Sequence, residues 1–373
     1  NNWKQKDFIS SHQLLNLNGP NNFKNIRSFS AGKGEGKNNR ILSQPLIDNE
    51  RLFVFDAEST LRVFDIDRKK IIWKYKLLPK SENKKASIGG GLALDQENVY
   101  ITTAYGQIIA LDKQSGKKNW DKYLGVPLRS PPTIIDNKVL VITINNRLLA
   151  LNSIDGNELW RHESSTSITT MMTSAAIAAD SEIVIAPYSN GQVYALRLDN
   201  GITAWSDSLV DVGKIDSTNA LTDIDASPII SNNLILVASV FGKIAAIDRR
   251  SGLRVWDQNI SIYETPLIIG NVVYLISENN EVICLDKNTG NMRWITSLNE
   301  IYGNEAIGRW FSPLLVNSKL VITGGKKLIV KINPFNGAVE EDRTLPGYPA
   351  SGIVSSKGKL FILTRSSKII TIY

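Results

Sequence analysis

Few side chains in this 373-residue sequence are of the types that do covalent or metal chemistry, and their spacing keeps them apart. One cysteine, Cys284, and two histidines, His12 and His162, exclude an internal disulfide framework and a multi-thiolate zinc site, and argue against a histidine-rich metal centre. His162 and Glu163 are types that could share acid–base work, but adjacent residues on a strand point to opposite faces. Gly32-Lys33-Gly34-Glu35-Gly36-Lys37-Asn38 has the glycines and lysine of a phosphate loop. It is one residue short of that spacing, lacks the closing Ser or Thr and leads into no helical pattern. Gly89-Gly90-Gly91 leads into a strand rather than a dinucleotide turn, and Asp65-Ile66-Asp67 lacks the glycine and closing glutamate of a calcium loop. No catalytic residue, cofactor set or metal set is expected.

The residues that do recur are tryptophans, and they define the elements. Six segments align on one: RVFDIDRKKIIW ends at Trp73, IIALDKQSGKKNW at Trp120, LLALNSIDGNELW at Trp160, VYALRLDNGITAW at Trp205, IAAIDRRSGLRVW at Trp256 and VICLDKNTGNMRW at Trp294. The intervals are 47, 40, 45, 51 and 38 residues. A seventh copy, IVKINPFNGAVEE, keeps Gly337 but carries Glu341 in the tryptophan position, and an eighth begins at Lys359 and stops at Tyr373. In the second to seventh copies the turn ends in a glycine: Gly116, Gly156, Gly201, Gly252, Gly290 and Gly337. Cys284 stands where Ala110, Ala150, Ala195 and Ala246 stand in other copies, and so reads as a small buried residue rather than a nucleophile.

Within each copy the pattern is that of strands. Val99–Thr103 and Lys138–Ile144 are β-branched runs of strand length, and no copy carries a 3.6-residue apolar period. Turns such as Asp112–Gly116 pair an aspartate, which can bond its own backbone, with a glycine that tolerates positive φ. A short strand precedes each unit, often after a small residue and a proline, as at Ser227-Pro228 and Ser312-Pro313. Four strands in about 45 residues is the size of a propeller blade.

The eighth unit lacks its last strand. Phe23 lies 22 residues before Pro45, as Trp205 lies 23 before Pro228, so residues 23–30 are predicted to supply that strand and close the ring, removing exposed sheet edges. The expected fold is all-β: one eight-bladed propeller of four-stranded antiparallel blades over residues 1–373. Residues 1–22 form an N-terminal segment, blades end near 73, 120, 160, 205, 256, 294 and 341, and the closing blade covers about 349–373. The periodic tryptophans are expected to stack between neighbouring blades. Trp310, outside the period, is open to either packing or lining one end of the channel.

Composition agrees with a globular chain, at 42% hydrophobic and 21% charged residues. No apolar run approaches the roughly 18 residues that span a bilayer, and no apolar core follows Asn1–Lys6 as it would in a signal peptide. The net charge of +7 is spread in small clusters such as Lys69-Lys70, which reads as a solvated surface rather than a nucleic-acid site.

The core pattern LD-x3-G-x3-W resembles the PQQ-type propeller repeat of quinoprotein dehydrogenases and their non-enzymatic relatives. The vicinal cysteine pair usual in those dehydrogenases is excluded by the single cysteine. Over almost its whole length the chain is similar to the BamB family, propeller lipoproteins of the barrel-assembly machinery at the bacterial outer membrane. Lys214–Pro228 (KIDSTNALTDIDASP) resembles the acidic-tipped interblade loop with which that family contacts BamA, and the resemblance places its acidic pair on Asp223 and Asp225. Ser164–Ala176 sits at the family's second contact loop: its apolar positions fall on Ile168 and Thr170, and its arginine position holds Met171. Two carboxylates at i and i+2 of an extended segment point the same way and can meet one basic patch. They could equally cap the start of the next strand.

The resemblance implies a non-catalytic scaffold, a monomer within a complex, that binds the POTRA domains of BamA. Unfolded outer-membrane proteins are possible further partners, and membrane attachment would come through an N-terminal lipid anchor. The alternatives are a PQQ-type enzyme or sensor, and a propeller scaffold of another periplasmic complex.

Overall fold

The computed structural model describes residues 2–37, 39–77, 90–128, 130–165, 175–210, 224–240 and 242–373. Eight four-stranded antiparallel sheets make the eight blades of a propeller. Blades one to seven occupy 46–76, 90–123, 133–163, 178–208, 229–258, 267–297 and 314–344. The eighth is built from Val354–Ser356, Lys359–Leu363 and Lys368–Ile372, with Ile26–Ser30 as its fourth strand.

The sequence of each strand sets its radial place. The innermost strands are short and buried, as in Leu46–Asp48 and Ile229–Ser231. The two middle strands are buried on both faces, which calls for near-continuous apolar runs such as Leu148–Leu151. The outermost strands expose most of their residues, and in Glu158–Glu163 the one buried side chain is Trp160. Across from five of the six periodic tryptophans lies a small residue: Ala110 faces Trp120, Ala150 faces Trp160, Ala195 faces Trp205, Ala246 faces Trp256 and Cys284 faces Trp294, while Val63 faces Trp73. Directly after that residue the register shifts by a bulge, which re-aims the chain into its turn. In that turn Asp112 Oδ1 accepts from the Ser115 N–H at 2.7 Å, and the Gly116 N–H closes back onto Asp112 O at 2.8 Å.

Ring closure runs in full register, from Ile26 opposite Ile372 to Ser30 opposite Lys368. Phe29 then meets Phe64 of the first blade edge-on at 5.5 Å, sealing the seam. The strand starts at Ile26 rather than Phe23. Phe23 is instead a buried side chain between the seventh and eighth blades, its N–H held by Glu341 Oε1 at 2.7 Å and its ring under the Lys331 ammonium. Glu341, in the tryptophan position of the seventh copy, thus uses a charge-assisted network with Lys331 where other blades use an indole.

The N-terminal segment is the element with no counterpart in the repeat. It runs across the innermost strands around the hub. Trp3 pairs in both directions with Ile47 of the first blade, Lys4 O accepts from Leu94 of the second, and Gln5 Oε1 accepts from Ile134 of the third. Ser10 O and Ser11 O accept from Ala179 and Ile230 of the fourth and fifth. Asp7 accepts from Thr265, at the start of the sixth. Leu17 pairs with the Leu315–Asn317 edge of the seventh, and Asn18 O accepts from Ser355 of the eighth.

Candidate partner-binding face

In an antiparallel meander the turn between the second and third strands and the link to the next blade fall on the same face. The described ends of both interblade connections singled out in the sequence therefore lie on one face of the ring. The connection from the third blade to the fourth begins at Ser164-Ser165, and the one from the fourth to the fifth begins at Leu209. Both stems are fastened to a single turn of the fourth blade, 188–191. Asn190 Nδ2 donates to Ser165 O at 3.0 Å, and Leu209 N–H donates to Gly191 O at 2.9 Å. Their far ends are also joined, because Ala176 N–H donates to Ser227 Oγ at 3.2 Å. The stems are braced further by Asn146 to Ser165 O and by the Arg254 guanidinium, which grips the Asp207 carboxylate.

Ile168, Thr170, Met171 and Asp223 lie outside the described residues. Asp225 is described: it is 3% exposed and turned toward the hub, at the entry to the next innermost strand, the second of the two places left open by the sequence. There it lines a cavity of about 90 Å³ with Lys6, Asp7, Glu264 and Arg309. The reason is local: the chain from Ile224 onward is already descending into the innermost strand, and Ile224 and Ala226 on either side of Asp225 are core residues. Arg309 forms an ion pair with Glu264 at 2.5 Å. Glu264 and, less strongly, Asp225 hold its guanidinium in the charged form against burial. Burial pushes the nearby Tyr263 phenol up, with the Glu278 and Asp225 carboxylates adding to it.

Beside the first stem, His162 Nδ1 lies 2.7 Å from the Tyr188 hydroxyl, and its ring sits 4.7 Å from that of Tyr194. Burial lowers its pKa, opposed by Glu163. Glu163 instead pairs with Arg147 across the sheet, so the adjacent pair forms no acid–base site. Residues 33–35 tie the closing seam: the Lys33 N–H meets Asp56 and the Glu35 N–H meets Arg365 O.

Trp310 is a packing residue. It bridges to Gly324, is 3% exposed and donates from Nε1 to Ala306 O at 3.0 Å. Leu128, Ile262 and Pro349 make the same bridge at other blades, so its position does repeat, as a backbone contact rather than a residue type. Sequence reading also missed the hub segment. Its signal was six large apolar residues, Trp3, Phe8, Ile9, Leu14, Leu15 and Leu17, in a polar stretch with no strand alternation. Among the described residues no group of acidic, histidine or cysteine side chains is arranged to hold a metal ion.

Comparison with known proteins is consistent in kind. A solved BamB structure from Moraxella catarrhalis superimposes with a TM-score of 0.78 at 17% identity, covering 93% of this chain and 98% of that one. A europium-containing methanol dehydrogenase superimposes at 0.76 with 15% identity, covering 97% and 89%. At such identities both establish the fold alone. The outer membrane protein assembly factor BamB of Moranella endobia is 25% identical over 68% of this chain, and the match spans 66% of that relative's length. The family model described as outer membrane protein assembly factor BamB matches residues 70–296, more than half of the sequence. The chain therefore belongs to the BamB family of outer membrane protein assembly factors.

Proposed function

We propose that this chain is a non-catalytic scaffold in the assembly of outer-membrane β-barrel proteins, binding the POTRA domains of BamA through one face of its ring. The observation that carries this reading is the fastening of both interblade connections to the 188–191 turn and to each other through Ala176 and Ser227. With their described ends fastened side by side, the two connections are proposed to be covered together by a single partner domain. Long connections on a rigid scaffold are where binding functions concentrate. Asp223, Ile168, Thr170 and Met171 are the proposed contacts. Asp225 is proposed to act from beneath, by fixing where the second connection enters the hub.

A non-enzymatic role is supported by the hub itself. The chain's own residues 3–18 run through it, and the cavity left beside them, about 90 Å³, is well under the roughly 300–1,000 Å³ of ordinary ligand sites. The family membership supports placing the chain at the periplasmic face of the outer membrane, held by a lipid anchor on the N-terminal side.

The test is calorimetric titration with a BamA POTRA fragment from the same organism, beside an Asp223→Lys variant of unchanged circular dichroism. Reversing a contacting charge weakens such interfaces by about 2–5 kcal/mol. The reading requires binding that falls at least tenfold in the variant. No binding by the unaltered protein would remove it.

A further inference from the structure

The innermost strands of a propeller ring present eight sheet edges to the axis, each with backbone groups that need partners. Here a single segment, folded back through tight turns at residues 5–8 and 9–12, meets all eight, five of them through main-chain bonds and three through side chains. Trp3 N–H donates to Ile47 O at 2.6 Å and receives Ile47 N–H at 2.8 Å. Leu17 N–H donates to Leu315 O at 2.8 Å, and Leu17 O receives Asn317 N–H at 2.9 Å. Between them Lys4 O, Ser10 O and Ser11 O accept from three other blades at 2.6, 2.8 and 3.0 Å. These are main-chain contacts of the kind by which an added strand is recognised at a sheet edge. Side chains supply the anchoring: Trp3 is 1% exposed and packs edge-on to Phe8 at 5.2 Å, Leu14 and Leu17 are buried, and the His12 ring reaches Pro228 O at 2.7 Å.

Local geometry marks the segment as laid into the hub rather than built as part of a blade. Asp7, Phe8 and His12 all have positive φ, at 56°, 82° and 58°. These are costly conformations for side chains of this size, held by contacts to the surrounding blades.

We propose that the hub is a binding site for a turned polypeptide segment, and that the chain's own residues 3–18 are its resident ligand, held by contacts that do not depend on its covalent link to the ring. The recognised pattern is a large aromatic anchor and, fourteen residues later, an aliphatic one, joined by main-chain bonds and by the side chains of Gln5, Asp7 and His12. This inference is independent of the partner-binding face.

The test uses the full folded chain with a specific protease site placed between Asn21 and Asn22, cut after folding. The freed segment should co-elute with the ring on gel filtration. A Trp3→Ala, Leu17→Ala double variant of the same protein should release it at least tenfold faster. A fluorescent synthetic peptide of residues 2–19 should then enter the emptied ring saturably. Three results would each overturn the proposal: immediate loss of the unaltered segment from a ring that keeps its circular dichroism, equal retention of the double variant, or collapse of the ring when the segment leaves. The last would make the segment part of the core.

Discussion

The indole of Trp120 lies against the backbone of Gly156 in the next blade. A Cβ on that glycine would stand 2.7 Å from the ring carbon Cε3, and Trp120 Nε1 donates to Ser153 O at 2.9 Å. The same pair of contacts recurs five times more: Trp73 on Gly116, Trp160 on Gly201, Trp205 on Gly252, Trp256 on Gly290 and Trp294 on Gly337. Each indole also donates to a carbonyl of the neighbouring turn. One apolar ring and one hydrogen bond thus fasten each of the first six blades to the next, and at those junctions the tryptophan and glycine of the repeat are required jointly.

Gly156→Ala should therefore destabilise the protein by about 2–4 kcal/mol, combining a left-handed backbone cost of about 1–2 kcal/mol with overpacking against the indole. Gly125, at φ +71° with nothing near its missing Cβ, is the control: Gly125→Ala should cost only about 1 kcal/mol. Urea unfolding of both variants separates the two contributions, and equal losses would contradict the stacking account.

Trp160→Phe retains an aromatic ring but leaves Leu198 O, its 3.0 Å partner, without a donor. A loss of about 1–3 kcal/mol is expected, against about 3–5 kcal/mol for Trp160→Ala. Chemical denaturation measured by circular dichroism reads both.

The legibility of this fold follows from the same contacts. A tryptophan on a glycine in the following unit leaves a regular sequence trace, so blade number, strand order and the closing strand could all be read before any coordinates. The hub segment left none, because main-chain pairing around a ring places no periodic demand on side chains. Asp225 was legible only in part, for a related reason. An i, i+2 carboxylate pair indicates shared direction, but burial depends on where the connection turns into the innermost strand. Trp310 looked exceptional because its position repeats only as a backbone bridge, filled by Leu128, Ile262 and Pro349 elsewhere.

His12 makes stability depend on pH. Burial lowers its pKa below the ordinary 6.5, partly opposed by Asp7 and by the carbonyl of Pro228. Between its folded and unfolded pKa values the unfolded chain binds more protons, so stability rises with pH there and falls as pH drops below about 6.5. His162, lowered mainly by burial, contributes with the same sign. Urea midpoints measured from pH 7.5 to 5 should fall less in His12→Gln than in the unaltered protein. An unchanged slope would contradict the burial of a neutral His12 ring.

Cys284 should be chemically silent in the native state. Its thiol is buried opposite Trp294, and burial pushes its pKa up to about 11. A thiolate is needed for reaction, so a thiol-specific reagent at pH 8 should label the protein only after denaturant is added. Stoichiometric labelling of the folded chain would show that the sixth blade opens.

One face of the ring, centred on the fourth blade, is the proposed seat of the POTRA domains of BamA. Hydrogen–deuterium exchange of this chain with and without a saturating BamA POTRA fragment tests it most directly. The account predicts slowed exchange in 164–177, 188–192 and 209–228, with the turns of the opposite face, such as 153–157 and 199–202, unchanged. Protection confined to that opposite face, or none at all, would contradict it.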